Sequence, residues 1–188
     1  KKLGAKSIHL MWMHMRGRAT SQISTTHYRG CPEFQISNLI RIIRDVKRAS
    51  DDAGIIFDNY ESLKMRVNGR PGVKYDLGNA CWDTLCLYSD GWVYPSASFA
   101  GYEPLNMGNT SNIPLRAIWL NNKKARDFRS DTVIKKQGLV KDPFRFITGG
   151  GDIEHSFFFS NMKNGSGNIL GDDPYFGVYT ELVKDIMM

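Results

Sequence analysis

Residues Ser7 to Met15 form an apolar run with no helical spacing, and a turn-rich stretch from Gly17 to Pro32 follows it. Together they predict a strand buried on both faces that ends in a loop. The period then changes. Ile36, Leu39, Ile40, Ile43 and Val46 recur at steps of three and four residues, with Arg41, Arg44, Lys47 and Arg48 between them. This is the pattern of an amphipathic helix carrying cations toward its C-terminal half. Ser37 is placed to cap its start and Gly54 to supply a left-handed stop. Gly54 to Asp58 then resumes a short buried strand, and a strand, helix, strand unit makes its two strands parallel.

From about Gly69 the chain turns to glycines, aromatics and turn residues. Asn68-Gly69 and Ser89-Asp90-Gly91 are hairpin signals, and Leu85 to Tyr88 with Trp92 to Tyr94 flank the second as two short antiparallel strands. Pro114 to Phe128 reads as one helix, with Leu115, Ile118, Trp119 and Ala125 inward and Lys123, Lys124, Arg126 and Arg129 outward. Tyr175 to Met188 reads as a last helix. A boundary between Tyr60 and Tyr75 divides the chain into residues 1–68 and 69–188.

Composition adds limits. A chain of 188 residues is long enough for one sizeable core or two small ones, and 41% hydrophobic with 23% charged residues is ordinary globular usage. No apolar run is long enough for a membrane span. The net charge of +6 is spread along the chain rather than gathered into a basic motif, which argues against nucleic acid as a partner. Three cysteines with no secretion signal argue against a disulfide framework and for a reducing cytoplasm.

The stretch from Cys81 to Trp119 carries a more specific order of features. A cysteine, Cys81, is followed by a hairpin ending in Asp90-Gly91, then Val93-Tyr94-Pro95, a Met107-Gly108-Asn109 turn, and a helix with Leu115, Ile118 and Trp119. This resembles the start of a SPASM domain, the cluster-carrying C-terminal domain of many radical SAM enzymes. The family pattern has a cysteine after the Val-Tyr-Pro strand, where Ser96 stands here. Its later ligand positions fall on Leu139, Asp142, Thr148, Asp152 and Phe176, none of them cysteine. The resemblance runs over roughly residues 75 to 180 and rests on ordered turns and aromatics rather than on ligands.

The resemblance implies an α/β chain, α+β overall: the end of a parallel partial (β/α) barrel followed by a small SPASM-like domain with a β-hairpin and helices. In the intact enzyme it implies S-adenosylmethionine and a 4Fe-4S cluster as cofactors and a peptide or protein substrate. Cubane clusters need about four thiolates, and Cys31, Cys81 and Cys86 cannot complete a set, so no complete cluster is expected in this chain. Cys81 and Cys86 are the metal-ligand candidates, although a cysteine placed like Cys86 in a strand is more often a small buried hydrophobe than a ligand. Met15 to Ala19 resembles a Gly-Arg-Ala segment of such barrels, so Arg16 and Arg18 are candidates to clamp the methionine carboxylate of the cofactor or an acidic substrate, or else are surface arginines. Asp58, Asn59, Tyr60 and Glu61 follow the second strand and are candidates for lining the substrate. Asp142, Asp152, Glu154 and His155 could make a harder metal site, but acidic residues beside glycines are more often turn formers and caps, and a metal-dependent hydrolase on Asp152, Glu154 and His155 lacks ligand spacing.

No Cys-x-x-x-Cys-x-x-Cys loop occurs in the sequence. The expectation is therefore a chain inactive alone, completed by the N-terminal part of the barrel, whether upstream in the same chain or in a separate one. The other reading is a cluster-free scaffold, with no catalysis of its own, that presents a peptide to a separate enzyme.

Overall fold

The computed structural model describes residues 4–12, 14, 16, 32–70, 72 and 78–188. Arg18 and Cys31 lie outside them. Strand β1 (Ser7–Ile8) pairs in parallel with β2 (Ile56–Phe57), Ser7 opposite Ile56 and Ile8 opposite Phe57. Between them runs helix α1 (Pro32–Ala53), and Gly54 stops it in the left-handed region at φ 62°. The helix starts before Ser37: Pro32 occupies its first turn, where a missing N–H costs nothing, so Ser37 is an internal residue rather than a cap.

The run after β1 is not buried on both faces. His9 and Met11 are exposed while Leu10 and Trp12 are half-buried, the alternation of a one-sided extended segment. Its ladder stops because the partner chain turns directly into helix α2 (Asp58–Val67). Asn59, on that helix, replaces the lost ladder: its side chain accepts from the Leu10 N–H at 2.8 Å and donates to the Leu10 carbonyl at 3.1 Å. Asn68-Gly69 ends α2 rather than opening a hairpin, the Asn68 and Gly69 N–H groups bonding back to Lys64 and Arg66.

In the second half, β3 (Cys86–Leu87) and β4 (Val93–Tyr94) form the expected antiparallel hairpin. The helix expected from Pro114 to Phe128 is two, α3 (Leu115–Asn121) and α4 (Lys123–Ser130). Asn122 breaks it, turning extended at ψ 132° and capping α4 through the Lys124 and Ala125 N–H groups. Leu115 stays exposed and Arg129 is half-buried over the Trp119 ring, 4.3 Å from its centroid. Short α5 (Arg145–Thr148), α6 (Ile153–Asn164) and α7 (Phe176–Met187) complete the described helices.

Two apolar clusters result. One is built on Val93, Phe99, Met107, Ile118, Phe128 and Phe158, with Phe99 edge-on to Phe128 and Phe157. In the other, Ile40, Ile43, Phe57 and Leu63 meet Val178, Leu182 and Val183 of α7, so the last helix packs on the first segment of the chain. The described sheets have two strands each, and a partial barrel is not shown. No described helix is long and apolar enough to cross a membrane.

Candidate functional site

A cavity of about 200 Å³ opens at the C-terminal end of the β1–β2 pair. Leu10 and Trp12 from the extended segment, Phe57, and Leu182 of α7 make its apolar walls. Helix α2 presents Asn59, Ser62, Leu63 and Arg66, the face set by its three-to-four-residue period. His9, Asp152 and Tyr179 supply the remaining polar wall.

Asp152 is held there by a tight local structure. Gly149, Gly150 and Gly151 take φ of 64°, 79° and 92°, a left-handed run that few other residues tolerate. A Cβ on Gly151 would lie 2.6 Å from the Asp173 carboxylate. That carboxylate accepts the Asp152 and Tyr175 N–H groups at 2.7 and 2.8 Å, tying the glycine turn to the start of α7. Asp152 in turn caps α6, its Oδ1 accepting from Glu154 and His155 N–H at 2.7 and 3.4 Å. Lys136, almost wholly buried, donates to the Gly150 carbonyl at 2.8 Å and to Ser156 Oγ at 3.2 Å.

Behind this wall lies a titratable group of side chains. Buried His155 places Nδ1 3.4 Å from the Tyr179 hydroxyl and 3.6 Å from Asp173 Oδ1. Its Nε2 has no hydrogen-bond partner among the described residues. The His14 ring lies 4.9 Å away, with Nε2 3.4 Å from Ser98 Oγ and 3.8 Å from Glu154 Oε2. Burial alone would lower the His155 pKa, but the Asp173 contact and the fields of Asp152 and Glu154 carry it above the usual value. Burial, then the neighbouring His155, lowers that of His14. Burial raises the Asp152 carboxyl, and burial with the nearby carboxylates pushes the Tyr179 phenol far up, so the phenol stays neutral.

The residues singled out in the sequence are dispersed. Arg16 turns both terminal guanidinium nitrogens to the Ser98 and Ala100 carbonyls and lies 5.7 Å over the Phe158 ring, pinning the extended segment to the cluster around Phe99 and Phe158. Tyr60 lies in a separate groove, its ring 4.8 Å from Lys47 Nζ, and Glu61 faces Lys64 at 3.8 Å. Asp58 stands in the first turn of α2, and none of these three lines the cavity. Of the candidates after the second strand the cavity takes Asn59, together with Ser62 and Arg66 from the same helix. Recognising a helix after Phe57 would have found Ser62 and Arg66.

The residues at the cluster-ligand positions do not fit a thiolate-bound cluster. Cys81 is fully buried at φ 58° with Sγ 3.8 Å from Met107 Sδ, and Cys86 sits half-buried on β3 opposite Tyr94. Ser96 donates to Glu154, Thr148 donates to the Phe144 carbonyl at 3.1 Å, and Asp142 accepts the Phe144 N–H at 2.7 Å. Among the described residues no group of three or more His, Cys, Asp or Glu side chains is placed to hold a metal ion. Nor does the cavity fit S-adenosylmethionine, since 200 Å³ is below the ~300–1,000 Å³ of pockets that enclose ligands of that size.

No family model matches the chain, and no curated protein matches it. Its fold is similar to the solved structure of native anSMEcpe with bound AdoMet, a radical SAM enzyme, at a TM-score of 0.56 and 14% identity. The match covers 86% of this chain and 42% of that one, so this chain spans less than half of that protein's length. The chain therefore has a radical SAM-like fold of helices and small sheets.

Proposed function

We propose that this chain is the C-terminal portion of a radical SAM enzyme of the SPASM type that modifies a peptide or protein side chain, its auxiliary cluster positions given over to hydrogen bonds. The observation that carries the reading is the fold likeness over 86% of the chain. The cavity supports it. It lies outside the carboxyl ends of a parallel strand pair, where α/β folds place their ligands. Among the described residues β1 pairs with β2 alone, and Met11 beyond it is 82% exposed. An unpaired edge of this kind suits further strands from the front of a barrel. On this reading the front part, upstream or on a partner chain, holds the cluster and the S-adenosylmethionine. The present residues form the substrate wall.

The test is the complete reading frame. It is expected to carry a Cys-x-x-x-Cys-x-x-Cys loop upstream of Lys1, and its product, reconstituted with iron and sulfide under argon, to release 5'-deoxyadenosine from S-adenosylmethionine. A complete frame without that loop, with no co-purifying partner chain that carries one, overturns the enzyme reading. It would leave the second one, a scaffold presenting a peptide to a separate enzyme, which is favoured by the lack of any metal-ligand group among the described residues.

A further inference from the structure

The polar inventory of the cavity is lopsided. Asp152 is the carboxylate on its wall, and only Oδ1 is committed, to the N–H groups of α6; Oδ2 takes no hydrogen bond among the described residues. His9 and Ser62 also line the cavity, and the remaining polar groups point to other duties. The Asn59 amide serves the Leu10 backbone, and the Tyr179 hydroxyl faces His155. Arg66 Nη1 donates to the Ile147 carbonyl at 3.5 Å, and Ile147 is not part of the cavity lining, so the guanidinium is drawn toward α5.

A carboxylate oxygen in an apolar cavity is costly unless a cation meets it. The aromatic rings of Trp12, Phe57 and Tyr179 on the same walls suit a cation further. Two features narrow its kind. A guanidinium binds best bidentately across both carboxylate oxygens, and Oδ1 is already taken by the helix cap, whereas an ammonium needs a single oxygen. The remaining walls, Leu10, Ile43 and Leu182, match an unbranched hydrocarbon stem.

We propose that this cavity receives a lysine side chain of the substrate, with Nζ on Asp152 Oδ2 and its methylenes between Leu10, Phe57 and Leu182. That the lysine is borne on a peptide rests on the maturase reading above; the recognition of a lysine side chain does not.

Isothermal titration calorimetry of the chain with N-acetyl-lysine methylamide, and with its arginine, norleucine and Nε-acetyl-lysine counterparts, tests this. The lysine compound is expected to bind at least about tenfold more tightly than the other three. Asp152→Asn retains a capping oxygen for α6 and should bring lysine down to the norleucine level. Ser62→Trp, at an exposed position on the cavity wall, should weaken lysine binding with Asp152 intact. Arginine or norleucine binding as tightly as lysine, unchanged lysine binding in Asp152→Asn, or no binding by any of the four overturns the proposal. The measurement uses no S-adenosylmethionine and no reductant. Its failure leaves the radical reading to the reading-frame test, and a reading frame without the cysteine loop leaves the lysine site standing.

Discussion

His14 and His155 lie with ring centroids 4.9 Å apart, and their surroundings push them in opposite directions. His155 is raised above 6.5 on folding, so its contribution to stability is fully present below pH 6.5 and is lost as pH rises through the raised folded value. His14 is lowered from 6.5, so its contribution is present above pH 6.5 and is lost as pH falls through the lowered folded value. Urea unfolding across this range should therefore show opposite trends. The stability gap between the wild type and His155→Asn should shrink toward alkaline pH, and the gap for His14→Asn should shrink toward acid pH. Parallel trends for the two variants would contradict the assignment. At this scale the sequence was legible in part. Asp152, Glu154 and His155 stood out as neighbours with chemical potential, but their grouping could not be read. What decides their role is Asp173 from a later turn and His14 from the opposite end of the chain, brought together only by the left-handed glycines and the docking of Trp12, whose ring lies 5.1 Å from that of Tyr175. Arg16 likewise looked like an anion clamp because nothing local reveals the Ser98 and Ala100 carbonyls it meets.

At the scale of elements, apolar spacing located α1, the hairpin and α7 because each is driven by a local period or a turn signal. It failed where one side chain interrupts a period. Asn122 has the same polar character as the solvent face around it, yet its side chain caps α4 and its Nδ2 donates to the Met107 carbonyl at 2.7 Å. Asn122→Ala removes both roles and should destabilise the protein by about 1–2 kcal/mol, measured as a lower urea midpoint with unchanged m-value. A shift within experimental scatter would mean that α3 and α4 are held by packing of Ile118, Ala125 and Phe128 alone. Helix α2 was missed for the complementary reason. Its hydrophobic content is modest, and its defining contact, Asn59 with the Leu10 backbone, spans most of the first segment.

The whole molecule raises a question of cooperativity. The two apolar clusters share no buried residue, and a division near Tyr60 to Tyr75 treats the flanking segments as separate units. Yet α7 begins at the Asp173 turn and ends among Ile40, Ile43 and Leu63. The extended segment runs the other way, Leu10 on Asn59, Trp12 against Tyr179 with ring centroids 5.6 Å apart, and Arg16 on Ser98 and Ala100. These two crossings tie the clusters through packed and hydrogen-bonded contacts, so local opening of one should strain the other. Leu182, 2% exposed and on the cavity wall, is the place to test this, because Leu182→Ala acts directly on the cluster of Ile40, Ile43 and Leu63 alone. The substitution should cost about 2–5 kcal/mol, toward the lower end since the cavity beside it already lacks packing partners. If the crossings couple the clusters, amide hydrogen exchange should accelerate in α4 as well as in α1, by factors that reflect the same loss of free energy. Acceleration confined to α1, α2 and α7 would show that the halves open independently and that the crossings position the cavity walls without binding the fold into one unit.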